Sequence, residues 1–139
     1  MEFINEVVQI YIPSTDIKRS VDWYVDVFAY QLIWVEESSA NLKLPSGPLL
    51  FLKKIKTSQS LKFITEDQEE SPVISFKTSN FISFHNQLKV KGINVSEINE
   101  YGLGENGPFR DFLIRDPDSN LIEVNEFPDL YMPQYRGIE

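Results

Sequence analysis

The sequence contains no cysteine. That excludes a disulfide framework, a thiolate metal site and a cysteine nucleophile, and it sets an expectation of a cytoplasmic protein. Its single histidine, His85, falls between Phe84 and Asn86 in a helical stretch, where an exposed helix position is expected rather than a metal ligand or base. Basic residues are few beside acidic ones, 13 Lys and Arg against 21 Asp and Glu, for a net charge of −8. Phosphate neutralisation needs a basic face, so no nucleic-acid partner is expected. No apolar run is long enough to span a bilayer, and Met1 to Glu6 lacks the basic start and apolar core of a signal peptide, so no membrane partner is expected either. Glycine is sparse, 6 in 139 residues. The one glycine-rich stretch, Tyr101 to Pro108, lacks the Gly-Lys-Ser/Thr ending of a phosphate loop and the downstream helix of a dinucleotide fold. It reads as a long hairpin loop or as a lid over a pocket.

What is present suits a packed interior: 42% hydrophobic and 13% aromatic residues, in a length that fits one domain or two small modules. Val7 to Ile12 reads as a strand with Val7, Gln9 and Tyr11 on one face and Val8, Ile10 and Ile12 on the other. Pro13-Ser14-Thr15-Asp16 ends it and offers N-caps for a helix through Phe28, whose Ile17, Val21, Tyr24, Val25 and Phe28 recur at helical spacing. Gln31 to Val35, Ala40 to Leu44 and Leu49 to Ile55 follow as strands, giving the order β-α-β-β-β. The polar, acidic stretch Thr57 to Ser71 suits an exposed linker.

Beyond it, Val73 to Lys77 reads as a strand. Ser79 or Asn80 caps a helix carrying Phe81, Phe84 and Leu88, and Gly92 stops it. Ile93 to Ile98 reads as the next strand, and Phe109 to Ile114 and Leu121 to Phe127 form a hairpin around the turn Asp116-Pro117-Asp118-Ser119-Asn120. The second half therefore repeats the first as β-α-β-β-β. The expected fold class is α+β: a first module over 4–56, a linker over 57–71, a second module over 72–127, together one domain over 1–127, then a tail over 128–139 without periodicity. In the last strand Leu121, Glu123 and Asn125 share one face, where the mid-strand carboxylate of Glu123 either meets water or lines a pocket.

Two motifs carry a family resemblance. Asp16-Ile17-Lys18-Arg19-Ser20 followed by Trp23-Tyr24 resembles the Asp-Leu-x-x-Ser-x-x-Phe-Tyr of the vicinal-oxygen-chelate superfamily, and Asp116-Pro117-Asp118-Ser119-Asn120-Leu121-Ile122-Glu123 resembles its Asp-Pro-Asp-Gly-Asn-x-Ile-Glu. That superfamily contains glyoxalase I, bleomycin-resistance proteins, fosfomycin-resistance thiol transferases and extradiol dioxygenases. Ser119 and Ala29 stand where the family usually has glycine, so each asks a residue with a Cβ to take a glycine-favoured conformation.

The resemblance implies tandem βαβββ modules whose curved mixed sheets form a cup, with a metal held by one side chain from the first and fourth strand of each module. Those places are Gln9, Phe51, Val73 and Glu123. Gln9 matches a known glutamine variant and Glu123 the usual last carboxylate. Phe51 and Val73 have no donor atom, so the family-type metal set is incomplete, and no cofactor is expected unless the alignment is displaced. The expected partner is a small molecule held in the cup by Gln9, Tyr11, Trp34, Phe51, Val73, Ser75, Arg110 and Asn125, with Arg110 able to pair a ligand acid or Glu123. Against apolar walls Glu123 would be a general base with a raised pKa. Three functional readings follow: metal-independent binding or sequestration; a lyase, thiol transferase or dioxygenase-like enzyme using Gln9 and Glu123; or a filled cup acting through protein contacts. Resemblance also implies a homodimer.

Overall fold

A computed structural model describes residues 2–101 and 109–127, so Gly102 to Pro108 of the expected loop and the tail over 128–139 lie outside the described residues. The chain divides into two units. The first runs through Leu61 and takes in the turn Asp116–Asn120; the second runs from Lys62 to Arg115 and resumes at Leu121. Among the described residues no helix is long and apolar enough to cross a membrane.

In the first unit, β1 (Gln9–Ser14), α1 (Ile17–Phe28), β2 (Gln31–Val35), β3 (Ser39–Lys43) and β4 (Leu49–Lys54) follow in order. The sheet order is β1-β4-β3-β2, with β1 parallel to β4 and the other pairs antiparallel. Alternation decides the core. Ile12, Ala40, Leu42, Leu50 and Leu52 are buried beneath α1, which contributes Ile17, Val21 and Tyr24. Fully burying a side chain of this size is worth about 1.5–3 kcal/mol. Strand β1 begins two residues later than the sequence suggests and continues through Pro13 to Ser14. Proline is tolerated there because β1 is the sheet's edge, where no neighbour calls on the missing N–H. At the opposite edge all of β2 is exposed, with a bulge between Leu32 and Trp34.

Of the capping candidates Asp16 is the one used: its Oδ1 accepts from Arg19 N–H at 3.1 Å. The helix ends at Ala29 in the left-handed region, φ +59°, and Ser119 sits at φ +64°. Both residues that stand in place of glycine thus occupy conformations that disfavour a Cβ.

The turn explains why the two motifs occur together. Asp116 accepts the Tyr24 hydroxyl on Oδ2 at 2.6 Å and Asn120 Nδ2 at 2.8 Å, while its Oδ1 takes the backbone N–H groups of Asp118 and Asn120. Asp118 accepts from the Thr15 hydroxyl and N–H, from Ser20 and from Arg19. Asn120 donates to the Pro13 carbonyl and accepts from Leu61 N–H. The polar letters of the turn are therefore a buried clamp on the start of α1. Their hydrogen bonds hold the turn to the start of α1.

In the second unit a short hairpin, β5 (Phe63–Ile64) and β6 (Glu70–Ser71), occupies part of the stretch read as a linker. Charge pairing organises it: Glu70 is bonded by Lys62 and, at 2.8 Å, by Arg115. Then come β7 (Ile74–Lys77), α2 (Phe81–Val90), β8 (Asn99–Tyr101), β9 (Phe109–Arg115) and β10 (Leu121–Asn125), in the sheet order β7-β10-β9-β8. Phe112, Ile114, Ile122 and Val124 are buried, as are Phe81, His85 and Leu88 of α2, which packs on Phe112.

Two expectations are corrected here. Ile93 to Ile98 is not a strand; only Val95 bridges to Ile114, and the strand proper is β8. Ser96 interrupts the ladder: its hydroxyl takes Leu113 N–H at 2.8 Å and its carbonyl is bonded to the His85 ring. His85 is not exposed but 4% accessible, on the same helix stripe as Phe81 and Leu88, edge-on to Phe112 at 4.8 Å. Because a carbonyl can only accept, His85 Nε2 must carry the proton it donates to Ser96 at 2.8 Å. Its role is structural.

Candidate functional site

In each unit the sheet face away from the helix carries the residues of interest. On the first, strand register aligns Tyr11, Phe51, Asn41 and Trp34 in a row across β1, β4, β3 and β2. Phe51 is the centre: Tyr11 lies at 5.4 Å, tilted, and Trp34 at 5.5 Å, edge-on. Such pairs add about 0.5–1.5 kcal/mol each beyond their buried area. Beneath the rings Asn41 is only 5% exposed, and its Nδ2 donates to Gln9 Oε1 at 2.9 Å and to the Leu50 carbonyl at 3.3 Å. Gln9 Nε2 in turn donates to the Tyr11 hydroxyl at 3.0 Å. The glutamine is thus committed at both ends to holding Tyr11 and Asn41. Lys53, two residues past Phe51, places Nζ 5.1 Å from the Tyr11 ring centre and 5.9 Å from that of Phe51.

On the second unit's face, Glu123 of β10 lies between Ser75 of β7 and Leu113 of β9, and Asn125 lies opposite Lys77 and Asp111. Asn125 donates to the Ser75 hydroxyl at 2.6 Å, and Ser75 stands beside Glu123 in the strand register. Glu123 Oε1 nonetheless has no partner: among the described residues it is the buried side-chain oxygen that nothing reaches. Burial pushes the Glu123 carboxyl up from its ordinary value; the nearby Asp111 carboxylate adds to this and the Ser75 hydrogen bond opposes it. Tyr101 holds Asp111 through a 2.8 Å hydrogen bond and stacks near Phe109, with Phe127 edge-on to both.

Gln9, Tyr11, Trp34 and Phe51 are thereby brought together on the first unit, and Ser75, Glu123 and Asn125 on the second. Val73 precedes β7 and is 54% exposed, so the expected strand starts one residue later. Arg110 is a correction. It points to the helix side of β9, over Phe81 at 5.9 Å, and its ion pair is with Glu126, not Glu123. Strand alternation accounts for this, since Arg110 shares a face with the buried Phe112 and Ile114 while Asp111 faces the other way. Asn41, Lys53 and Asp111 went unnoticed in the sequence. Each is a polar residue on the strand face away from the helix, a signal legible once register is known.

The four places implied for a metal supply little to hold one. Phe51 and Val73 carry no donor, Gln9 Oε1 is already bonded by Asn41, and only Glu123 offers an unengaged oxygen. No group of three His, Cys, Asp or Glu side chains that could hold a metal ion occurs among the described residues. The donor set does not fit a tightly held divalent ion.

The Glu123 environment makes a stability prediction. A carboxyl whose folded pKa is raised keeps its proton to higher pH than it does unfolded. Its contribution favours folding below the ordinary carboxylate pKa and is lost as pH rises through the raised value. Glu123→Gln removes that loss. Urea denaturation should show the variant more stable than wild type at neutral pH, on the order of 1 kcal/mol, with the difference shrinking as pH falls through the carboxylate range. Equal stability at every pH would mean that the carboxylate is not desolvated.

The family model described as Glyoxalase/Bleomycin resistance protein/Dioxygenase superfamily matches residues 4–124. Similar solved structures include a glyoxalase/bleomycin resistance protein/dioxygenase from Alicyclobacillus acidocaldarius, 19% identical at a TM-score of 0.68 over 95% of this chain and 98% of that one. A lactoylglutathione lyase from Agrobacterium tumefaciens is 16% identical at a TM-score of 0.67, covering 90% and 96%. A virulence protein from Salmonella typhimurium is 20% identical at 0.66, covering 91% and 99%. At these identities the likeness carries the fold alone. None of the curated proteins compared with the chain matches it.

Proposed function

Because this chain belongs to the Glyoxalase/Bleomycin resistance protein/Dioxygenase superfamily, we propose that it is a member that binds a small organic molecule without a metal ion. The observation that carries the reading is the aromatic row Tyr11, Phe51 and Trp34, fixed from beneath by the Gln9–Asn41 amide pair. Apolar, aromatic walls with a few fixed polar groups are what a small-molecule site offers, and an aromatic residue in place of a metal donor favours binding by ring contact. The test has two arms. Protein purified without chelator should contain no stoichiometric Ni, Zn, Fe or Mn. In a thermal-shift screen of planar aromatic compounds, hits should be insensitive to chelator and weakened by about tenfold or more in Phe51→Ala, the loss of one buried aromatic contact. A stoichiometric metal that Glu123→Ala fails to retain would overturn the metal-free reading, and hits unaffected by Phe51→Ala would remove the row from the site.

A second reading, an atypical lyase, thiol transferase or dioxygenase-like enzyme, draws on a different observation. An unpartnered, desolvated Glu123 Oε1 is how a general base is kept reactive. Turnover of any screened compound that is lost in Glu123→Gln while its binding persists would favour this reading.

A further inference from the structure

We propose that the first unit's aromatic row takes planar organic anions, with the Lys53 ammonium as the partner of the anionic group. The inference rests on the binding reading above and narrows it to a ligand class. Although the chain carries a net charge of −8, none of the four strands of this sheet contains an Asp or Glu, whereas Lys43, Lys53 and Lys54 all lie in it. Of these lysines, Lys53 is the one held against the rings of Tyr11 and Phe51. Among the described residues it has no carboxylate within ion-pair distance, unlike Lys18, Arg19, Lys62, Arg110 and Arg115, each of which has one.

The chemistry of the two neighbours favours the same class. An ammonium over an aromatic ring is attracted by the ring's negative face yet keeps N–H donors free for an acceptor. The other polar groups in the row are the amides of Gln9 and Asn41, whose oxygen and nitrogen atoms bond to each other, to the Tyr11 hydroxyl and to the Leu50 carbonyl. No carboxylate stands on these strands to receive a cation. A flat ligand packed against the Phe51 and Trp34 rings, face to one and edge to the other, with an acidic group at its rim would meet Lys53 in a charge-assisted hydrogen bond, the stronger kind. Sequence position alone hides this, because Lys53 precedes another lysine at the end of a strand and reads as solubility charge.

Three isosteric probes separate the claims: 2-naphthoate, its neutral amide 2-naphthamide, and the cation 2-naphthylmethylammonium, each titrated into the full chain while the Trp34 indole N–H resonance is followed by NMR. Naphthoate should bind at least about tenfold tighter than naphthamide, as expected for one charge-assisted contact. Lys53→Gln should bring naphthoate down to the naphthamide level and leave naphthamide unchanged, and Lys53→Arg should retain most of the preference. Equal affinities, a preference for the ammonium probe, or naphthoate binding indifferent to Lys53→Gln would overturn the anion inference, while weakening of all probes by Phe51→Ala would leave the aromatic row as the binding surface. If no probe shifts the Trp34 resonance, the row is not a binding surface for planar ligands and both proposals fall.

Discussion

Asp116→Ala is expected to cost about 3–5 kcal/mol of stability, because it leaves several buried donors unsatisfied at about 1–3 kcal/mol each, read as a fall in the urea midpoint. The carboxylate is 5% exposed and accepts from the Tyr24 hydroxyl, the Asn120 amide and two backbone N–H groups. Burial raises its pKa, and the bonds from Tyr24 and Asn120 oppose that shift. Truncation therefore strands several donors at once, among them a phenol that is itself fully buried. Tyr24→Phe removes a single donor and should cost only about 1 kcal/mol. In the Asp116→Ala background it should cost less still, because the hydroxyl there has already lost its acceptor. A loss under about 1 kcal/mol for Asp116→Ala would mean that the turn is anchored by something other than this cluster.

Phe112→Ala should be of similar size in the second unit, about 3–5 kcal/mol by the combined loss of transfer energy and the cavity left behind. Phe112 is wholly buried, with Phe81 at 5.4 Å, His85 at 4.8 Å and Phe84 at 6.2 Å between ring centres. It is the surface on which α2 rests. The same experiment separates packing from hydrogen bonding at His85: Phe112→Leu refills most of the volume and should recover more than half of the loss, whereas a near-zero effect of Phe112→Ala would show that the helix is held elsewhere.

The strands and helices that alternate or recur cleanly were legible in the sequence. Gln31–Val35 was read without error, and the faces of β10 followed from counting by twos. The motif pair was legible as a family mark, but its physical meaning was not, since nothing in the letters Asp-Pro-Asp-Ser-Asn says that Asp116 meets a tyrosine 92 positions earlier. The errors share a cause. Ile93 to Ile98 has strand composition, yet Ser96 diverts its own backbone partners; His85 looks polar, yet it completes an apolar helix stripe; Arg110 looks like a ligand-binding cation, yet alternation turns it toward α2. In each case a long-range partner outweighed the local preference. The candidate site was half legible: Gln9, Phe51 and Glu123 followed from family position, while Asn41, Lys53 and Asp111 become visible only when neighbouring strands are set in register.

The bare outer strand β2 bears on how the protein behaves when concentrated. Leu32, Ile33, Trp34 and Val35 are all exposed along a sheet border whose outward side meets no other strand among the described residues. The kink at Ile33 spoils the match for an incoming chain, and Glu36 and Glu37 directly after it repel another acidic molecule. That second safeguard is electrostatic and weakens once salt shortens the range of charge to about 10 Å near 0.1 M. Crowded, salty solution is therefore where one copy would begin to recruit the next.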